Sequence, residues 1–113
     1  MGAPEGLDEV WGDWQQAVNM TPKELEDWLE TDDSKAVGDT GGSSKESTGH
    51  AEGRRIVAIL RKNKADLDDS DVHDMKKVVG YVHRHAAQGG PSHDVEHSKW
   101  RYSLMNWGND PLK

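Results

Sequence analysis

Cysteine and phenylalanine are absent from this chain, and isoleucine occurs only at Ile56 and Ile59. Without cysteine there are no disulfides and no thiol chemistry, which fits a reducing compartment. No apolar run approaches the roughly 20 residues that a membrane helix requires. The first twenty residues carry Glu5, Asp8, Glu9 and Asp13 and no long apolar stretch, which is unlike a secretion leader. A soluble, cytoplasmic protein is therefore expected. Also missing are a nucleophile elbow, an HExxH pair and two carboxylates in a defined frame. The Gly41-Gly42-Ser43-Ser44-Lys45 stretch lacks the Gly-Lys-Ser/Thr order of a phosphate-binding loop. Those gaps speak against an enzyme and against a nucleotide or other cofactor.

What is present is charge, unevenly placed. The 113 residues hold 21 acids against 14 Lys and Arg, for a net charge of −7. Residues 1–46 contain 12 acids and 3 lysines, whereas residues 47–113 contain 9 acids, 11 Lys and Arg, and all six histidines. An acidic front thus precedes a mildly basic back. Nucleic acid is repelled by such a protein at long range, so any binding needs a local patch. Asp outnumbers Glu by 13 to 8, a bias that suggests a salty cytoplasm, where acidic surfaces stay hydrated.

At this length one domain spanning 1–113 is expected, large enough to bury a core without staples. Five helical stretches and no strand are read from the apolar spacing, so the predicted class is an all-α bundle. The first runs from Leu7 to Val18, with Leu7, Val10, Trp11, Trp14, Ala17 and Val18 on one face and Gly12 weakening it. The second starts at Thr21-Pro22-Lys23-Glu24, an N-cap, a first-turn proline and a capping-box glutamate; it ends near Asp32. Residues 38–48, rich in Gly and Ser, read as a flexible loop. A third helix covers Ala51 to Asn63, its Ile56, Val57, Ile59 and Leu60 forming an arc of about 160°. Asp68, with Asp71 behind it, caps a fourth helix that lasts to Gln88 and faces inward through Val72, Met75, Val78, Val79, Val82 and Ala86. The fifth spans Asp94 to Trp107 and buries His97, Trp100, Leu104 and Trp107; Gly108 ends it. So many large side chains at a C-terminus must dock rather than fray.

The strongest candidate for function is a basic surface on the third and fourth helices. Arg54, Arg55, Arg61 and Lys62 lie opposite the apolar arc of the third. His73, Lys77, Gly80, Tyr81 and Arg84 lie opposite that of the fourth. Lys and Arg neutralise phosphates and release counterions, and a tyrosine hydroxyl adds a hydrogen bond. Five phosphates engaged would give a slope of log affinity on log salt of about −4.5. A helix–turn–helix-like pair is one arrangement for these two helices, although the Lys64 to Asp68 connection shows no specific turn signature. The ordinary alternative is a solvated helix face, and Asp66, Asp68, Asp69, Asp71 and Asp74 close by favour it.

Other candidates are weaker. His93 and His97, four apart beside Asp94 and Glu96, have a spacing that suits a metal but lack further ligands, so no metal is assigned. The simpler reading packs His97 beneath Trp100. The tryptophans Trp11, Trp14, Trp28, Trp100 and Trp107 read as core rather than as a base-stacking platform. Tyr102 and Met105, on the other side of the fifth helix, are freer to meet a partner.

From Asn19 to the C-terminus the chain resembles the family of small proteins known as domain of unknown function 3140. The resemblance is carried by Asn19 to Leu29, Ser47-Thr48-Gly49-His50, Gly53 to Val57, Ile59 to Lys62, Val78 to His85, Trp100 to Trp107 and Asp110 to Lys113. It implies a DNA-binding role and offers no catalytic residue to carry over; His93 and His97 fall outside the pattern. The expectation is therefore a monomeric or weakly dimeric helical bundle that contacts DNA phosphates through Arg54, Arg55, Arg61, Lys62, Lys77, Tyr81 and Arg84. The rival is a protein-interaction module that docks through its acidic N-terminal half or its Tyr102–Met105 surface.

Overall fold

Caps and apolar spacing place the helices of the computed structural model, which describes residues 4–37 and 48–113. These are α1 (Leu7–Ala17), α2 (Pro22–Leu29), α3 (Asp32–Ala36), α4 (Thr48–Arg61), α5 (Asp69–Ala87) and α6 (Lys99–Asn106). Two 3-10 turns, Lys64–Asp66 and Val95–His97, precede α5 and α6, and no strand occurs among the described residues. The fold is all-α. Of the loop expected at 38–48, residues 38–47 lie outside the described residues and Thr48 opens α4.

The two capping boxes form as their spacing dictates. The Thr21 hydroxyl accepts from the Glu24 N–H while the Glu24 carboxylate accepts from the Thr21 N–H; Asp68 and Asp71 do the same for α5. The second helix, however, stops at Leu29 rather than near Asp32. The Thr31 hydroxyl accepts from the Ser34 N–H and starts α3 as a separate turn. The fifth expected helix is likewise shorter than its apolar spacing implied. Asp94 takes a left-handed conformation (φ 50°), and Ser98 in extended geometry caps α6 with its hydroxyl accepting from the Arg101 N–H. His97 is consequently not beneath Trp100 but exposed, its Nδ1 2.8 Å from Asp94. Ala86 is exposed as well, because the core side of α5 is already closed at Val82.

The core follows the helix faces: Leu7, Val10 and Trp14 of α1 meet Val72, Met75 and Val79 of α5, while Leu25 and Leu29 of α2 meet Ile56 and Val57 of α4. Thus α5 packs chiefly on α1, and α4 chiefly on α2. The C-terminal α6 joins the two pairs, touching α2, α3, α4 and α5. At its C-terminal end Asn106 is buried. Its carbonyl accepts from Trp28 Nε1 at 2.7 Å and from Ser34 Oγ at 2.5 Å, and its amide donates to the Ser34 carbonyl at 3.1 Å. Gly53 of α4 makes room for this junction. A Cβ there would stand 2.7 Å from both the Asn106 carbonyl oxygen and a Leu29 methyl.

The tail then locks onto the start of the chain. Gly108 (φ 82°) ends α6 in a Schellman turn, with Asn109 N–H donating to Leu104 and Gly108 N–H to Met105. Asn19 and Asp110 exchange hydrogen bonds at 3.0 and 2.8 Å, and Asn109 donates to the Ala17 carbonyl at 2.7 Å. Arg101 grips the Asp110 carboxylate with two nitrogens at 3.1 and 3.0 Å. Burial works against that carboxylate, but the guanidinium and the Leu112 N–H outweigh it and hold its pKa below the ordinary value. A depressed folded pKa gives stability that is present above the unfolded value and lost as pH falls through the folded one. Asp110→Asn is therefore expected to lower the urea midpoint at pH 7 and to match the wild type at a pH below the carboxylate range.

Candidate functional site

Four of the basic residues expected to converge, Arg55, Arg61, Lys62 and Lys77, meet carboxylates of the same chain instead. At the C-terminal end of α4, Arg61 lies 2.7 Å from Glu26 of α2, and just beyond it Lys62 lies 2.8 Å from Asp71 at the start of α5. Farther along the seam between α4 and α5, Lys77 Nζ approaches Glu52 Oε1 at 2.9 Å, and Arg55 comes within 3.6 Å of the same oxygen. Tyr81 does not point freely to solvent. Its ring is half-buried between Trp107, at 4.0 Å and 13°, and His85, at 5.3 Å and 14°. Arg84 is exposed beside Gly80 with no ion pair among the described residues. Arg54 is exposed on α4 at a hollow of about 180 Å³, where Glu26, Glu30 and His50 also line the wall. The structure therefore brings Arg55, Lys77 and Tyr81 together at one seam, and leaves Arg61 and Lys62 at its other end. As for a helix–turn–helix-like pair, α4 and α5 each have their main packing partner elsewhere.

The seam contains a group that the spacing rules passed over. Glu52 is only 1% exposed, and neither of its oxygens has a directed hydrogen bond. Lys77 stands near it as a close ion pair, with its ammonium also 5.8 Å from the centre of the Trp107 ring. Burial raises the Glu52 pKa, the neighbouring Asp74 adds to the rise, and Lys77 opposes it. A signal for Glu52 was available: it sits one turn before Ile56, on the apolar arc of α4, where a carboxylate is out of place. Gly49 flanks the same place, with room for no more than a Cβ 3.2 Å from the Trp107 indole nitrogen.

The rest of the cluster is held by the aromatic stack. Trp100 Nε1 donates to the His85 carbonyl at 2.8 Å, tying the end of α5 to α6. Burial lowers the His85 pKa below its usual value, so the ring is neutral at pH 7. The arrangement can take up and release a proton at Glu52, but it sets no nucleophile against a base. Among the described residues no three His, Asp or Glu side chains are grouped to hold a metal, His93 and His97 included.

Of the two surfaces considered for a partner, one differs from expectation. Tyr102 is half-buried against Trp28 with ring centres 5.2 Å apart, and Met105 packs on the core. That side of α6 is thus occupied within the molecule. On α1 to α3, by contrast, Glu9, Asp13, Glu30, Asp32 and Asp33 have no cation at ion-pair distance among the described residues. Trp14 and Trp107 are buried, and Trp11, Trp28 and Trp100 pack against the core from its edge, so all five tryptophans serve the interior.

Comparison with known proteins returns one family. The model of a protein family of unknown function (DUF3140) matches residues 13–105, which include every seam residue except Trp107. No curated protein matches, and no solved structure does.

Removing the Lys77 ammonium tests the seam. Lys77→Met leaves an ionised, buried Glu52 with one cation fewer. A fully buried pair broken in this way costs about 3–5 kcal/mol; with Lys77 at 45% exposure, roughly 2 kcal/mol is expected at pH 7. Because the folded Glu52 pKa is raised, that cost should shrink as pH falls and the carboxyl becomes neutral, which paired urea titrations at pH 7 and pH 4 will read.

Proposed function

For this chain, which belongs to the DUF3140 family of proteins of unknown function, we propose a protein-interaction role, with a basic segment of another chain docking on the acidic face of α1 to α3. The observation that carries this reading is an asymmetry in pairing. Arg55, Arg61, Lys62 and Lys77, four of the six cations expected to contact phosphate, sit against carboxylates of the same molecule. Along α1 to α3, by contrast, Glu9, Asp13, Glu30, Asp32 and Asp33 have no cation at ion-pair distance among the described residues. Unpaired charge, not total charge, sets the field that a partner meets. That field is negative, in keeping with the net charge of −7, and it attracts lysine- and arginine-rich chains while repelling phosphate.

A second reading, DNA binding through Arg54, Arg55, Arg61, Lys62, Lys77, Tyr81 and Arg84, draws on one observation. The paired cations keep much of their surface in water: Arg55 is 61% and Arg61 54% exposed. Exposed ion pairs are worth about 0–1 kcal/mol, so phosphates can compete for them. Against this stands the proximity of Glu26, Glu52 and Asp71, each of which repels the same phosphate.

One titration separates the two. Adding an oligolysine peptide at low salt to the isotope-labelled protein should shift the amides around Glu9, Asp13, Glu30, Asp32 and Asp33, and salt should reverse the shifts. The double charge reversal Asp32→Lys and Asp33→Lys should weaken the binding several-fold. A short duplex that instead shifts Arg55, Lys77 and Arg84, with the peptide inert, would replace the first reading by the second.

A further inference from the structure

Among all the ionisable groups described, Glu52 alone combines full burial with two oxygens that no donor satisfies. Three features of its surroundings bear on what it does. Its main cation, Lys77, belongs to the neighbouring helix and is 45% exposed, so the ammonium has an open path to water. Asp74, one turn before Lys77 on α5, is a second carboxylate close enough to raise the proton affinity of Glu52 further, and a protonated carboxyl can donate to it where an ionised one cannot. And two ion pairs, Lys62–Asp71 and Lys77–Glu52, cross the seam between the two helices, whose main packing lies elsewhere, α4 on α2 and α5 on α1.

We propose that Glu52 is a proton-operated latch on Lys77: ionised, it holds the ammonium in the α4–α5 seam; protonated, it turns to Asp74 and hands the cation to solvent. The step is a simple proton uptake from water at one carboxylate oxygen, followed by loss of the ion pair. Among the described residues, few charges face Glu52. From α5 come Lys77 and Asp74, and from its own helix comes Arg55. On α2, Glu26 is engaged by Arg61, and on α6, Arg101 is engaged by Asp110, so neither replaces Lys77. Burial as the main cause places the Glu52 proton affinity above that of an ordinary glutamate, so the latch opens before the surface acids titrate. With it open, Lys77 joins Arg84 on the exposed side of α5, and the seam gains one positive charge. The latch does not depend on the acidic docking face, which lies on other helices.

The full-length protein is sufficient for the test. Carbon-detected NMR follows the Glu52 carboxyl across a pH series, and nitrogen-detected spectra follow the Lys77 ammonium. Glu52 should titrate at higher pH than an ordinary glutamate, and the Lys77 signal should move in the same step. At pH 7, Glu52→Gln should show Lys77 labelled by an amine reagent several-fold faster than in the wild type, measured relative to Lys99. Glu52 titrating as an ordinary glutamate, or Lys77 unmoved while Glu52 takes up its proton, would overturn the latch. The wild-type titration decides the matter even if the glutamine variant does not fold.

Discussion

The side-chain amide of Asn106 is the point on which the bundle turns. Two helical pairs, α1 with α5 and α2 with α4, bury apolar stripes of the usual kind, and neither pair specifies how it sits on the other. That orientation comes from α6. One buried amide takes hydrogen bonds from the Trp28 indole and the Ser34 hydroxyl and returns one to the Ser34 carbonyl, so α2, α3 and α6 meet in a single register. A buried polar group costs stability when a partner is lost and fixes geometry when all are present. With Asn106 fixed, the next residue, Trp107, is set against Tyr81, and the seam holding Glu52 and Lys77 takes its shape.

Electrostatics then divides the surface in a way that total charge does not. Lysines and arginines of the back half are absorbed by carboxylates: Glu26 reaches Arg61 from α2, and Glu52 draws on both Arg55 and Lys77. Much of the positive charge expected to face outward is spent within the molecule. Of the front-half acids among the described residues, Asp8, Glu24, Glu26 and Asp27 find a cation, three of them from the back half, whereas Glu9, Asp13, Glu30, Asp32 and Asp33 do not. On the proposed reading this imbalance favours basic chains over nucleic acid, and the proposed protonation of Glu52 would shift it locally by returning one cation to the surface.

Much of the fold was legible in the residues. Thr21-Pro22-Lys23-Glu24 and the Asp68–Asp71 pair name their helix starts, because a capping box depends only on local hydrogen bonding. The stripes on α1, α4 and α5 were equally plain, since burial selects apolar residues at helical spacing. Harder to see were the breaks. Thr31 and Ser98 start new helices inside stretches whose apolar spacing looked continuous, and spacing alone does not weigh a hydroxyl cap against one more turn. The site was the least legible part. Which faces carry Lys and Arg follows from helical geometry, but which carboxylate each one meets depends on how separate helices cross. Glu52 and Asn106 were both passed over: Glu52 stands on the apolar arc of α4 and so left a signal, whereas Asn106 lies off the apolar arc of α6 and is buried only by how the helices cross.

The sharpest test of this account is a double-mutant cycle at the α2–α6 junction, with Trp28→Phe, Asn106→Ala and the pair compared by urea unfolding. If the Asn106 amide organises the bundle, the two changes should be coupled by about 1 kcal/mol or more. In addition, Asn106→Ala should flatten the near-ultraviolet circular dichroism of the Trp107–Tyr81 stack. Effects that add to within about 0.3–0.5 kcal/mol, with the stack's signal intact, would contradict it.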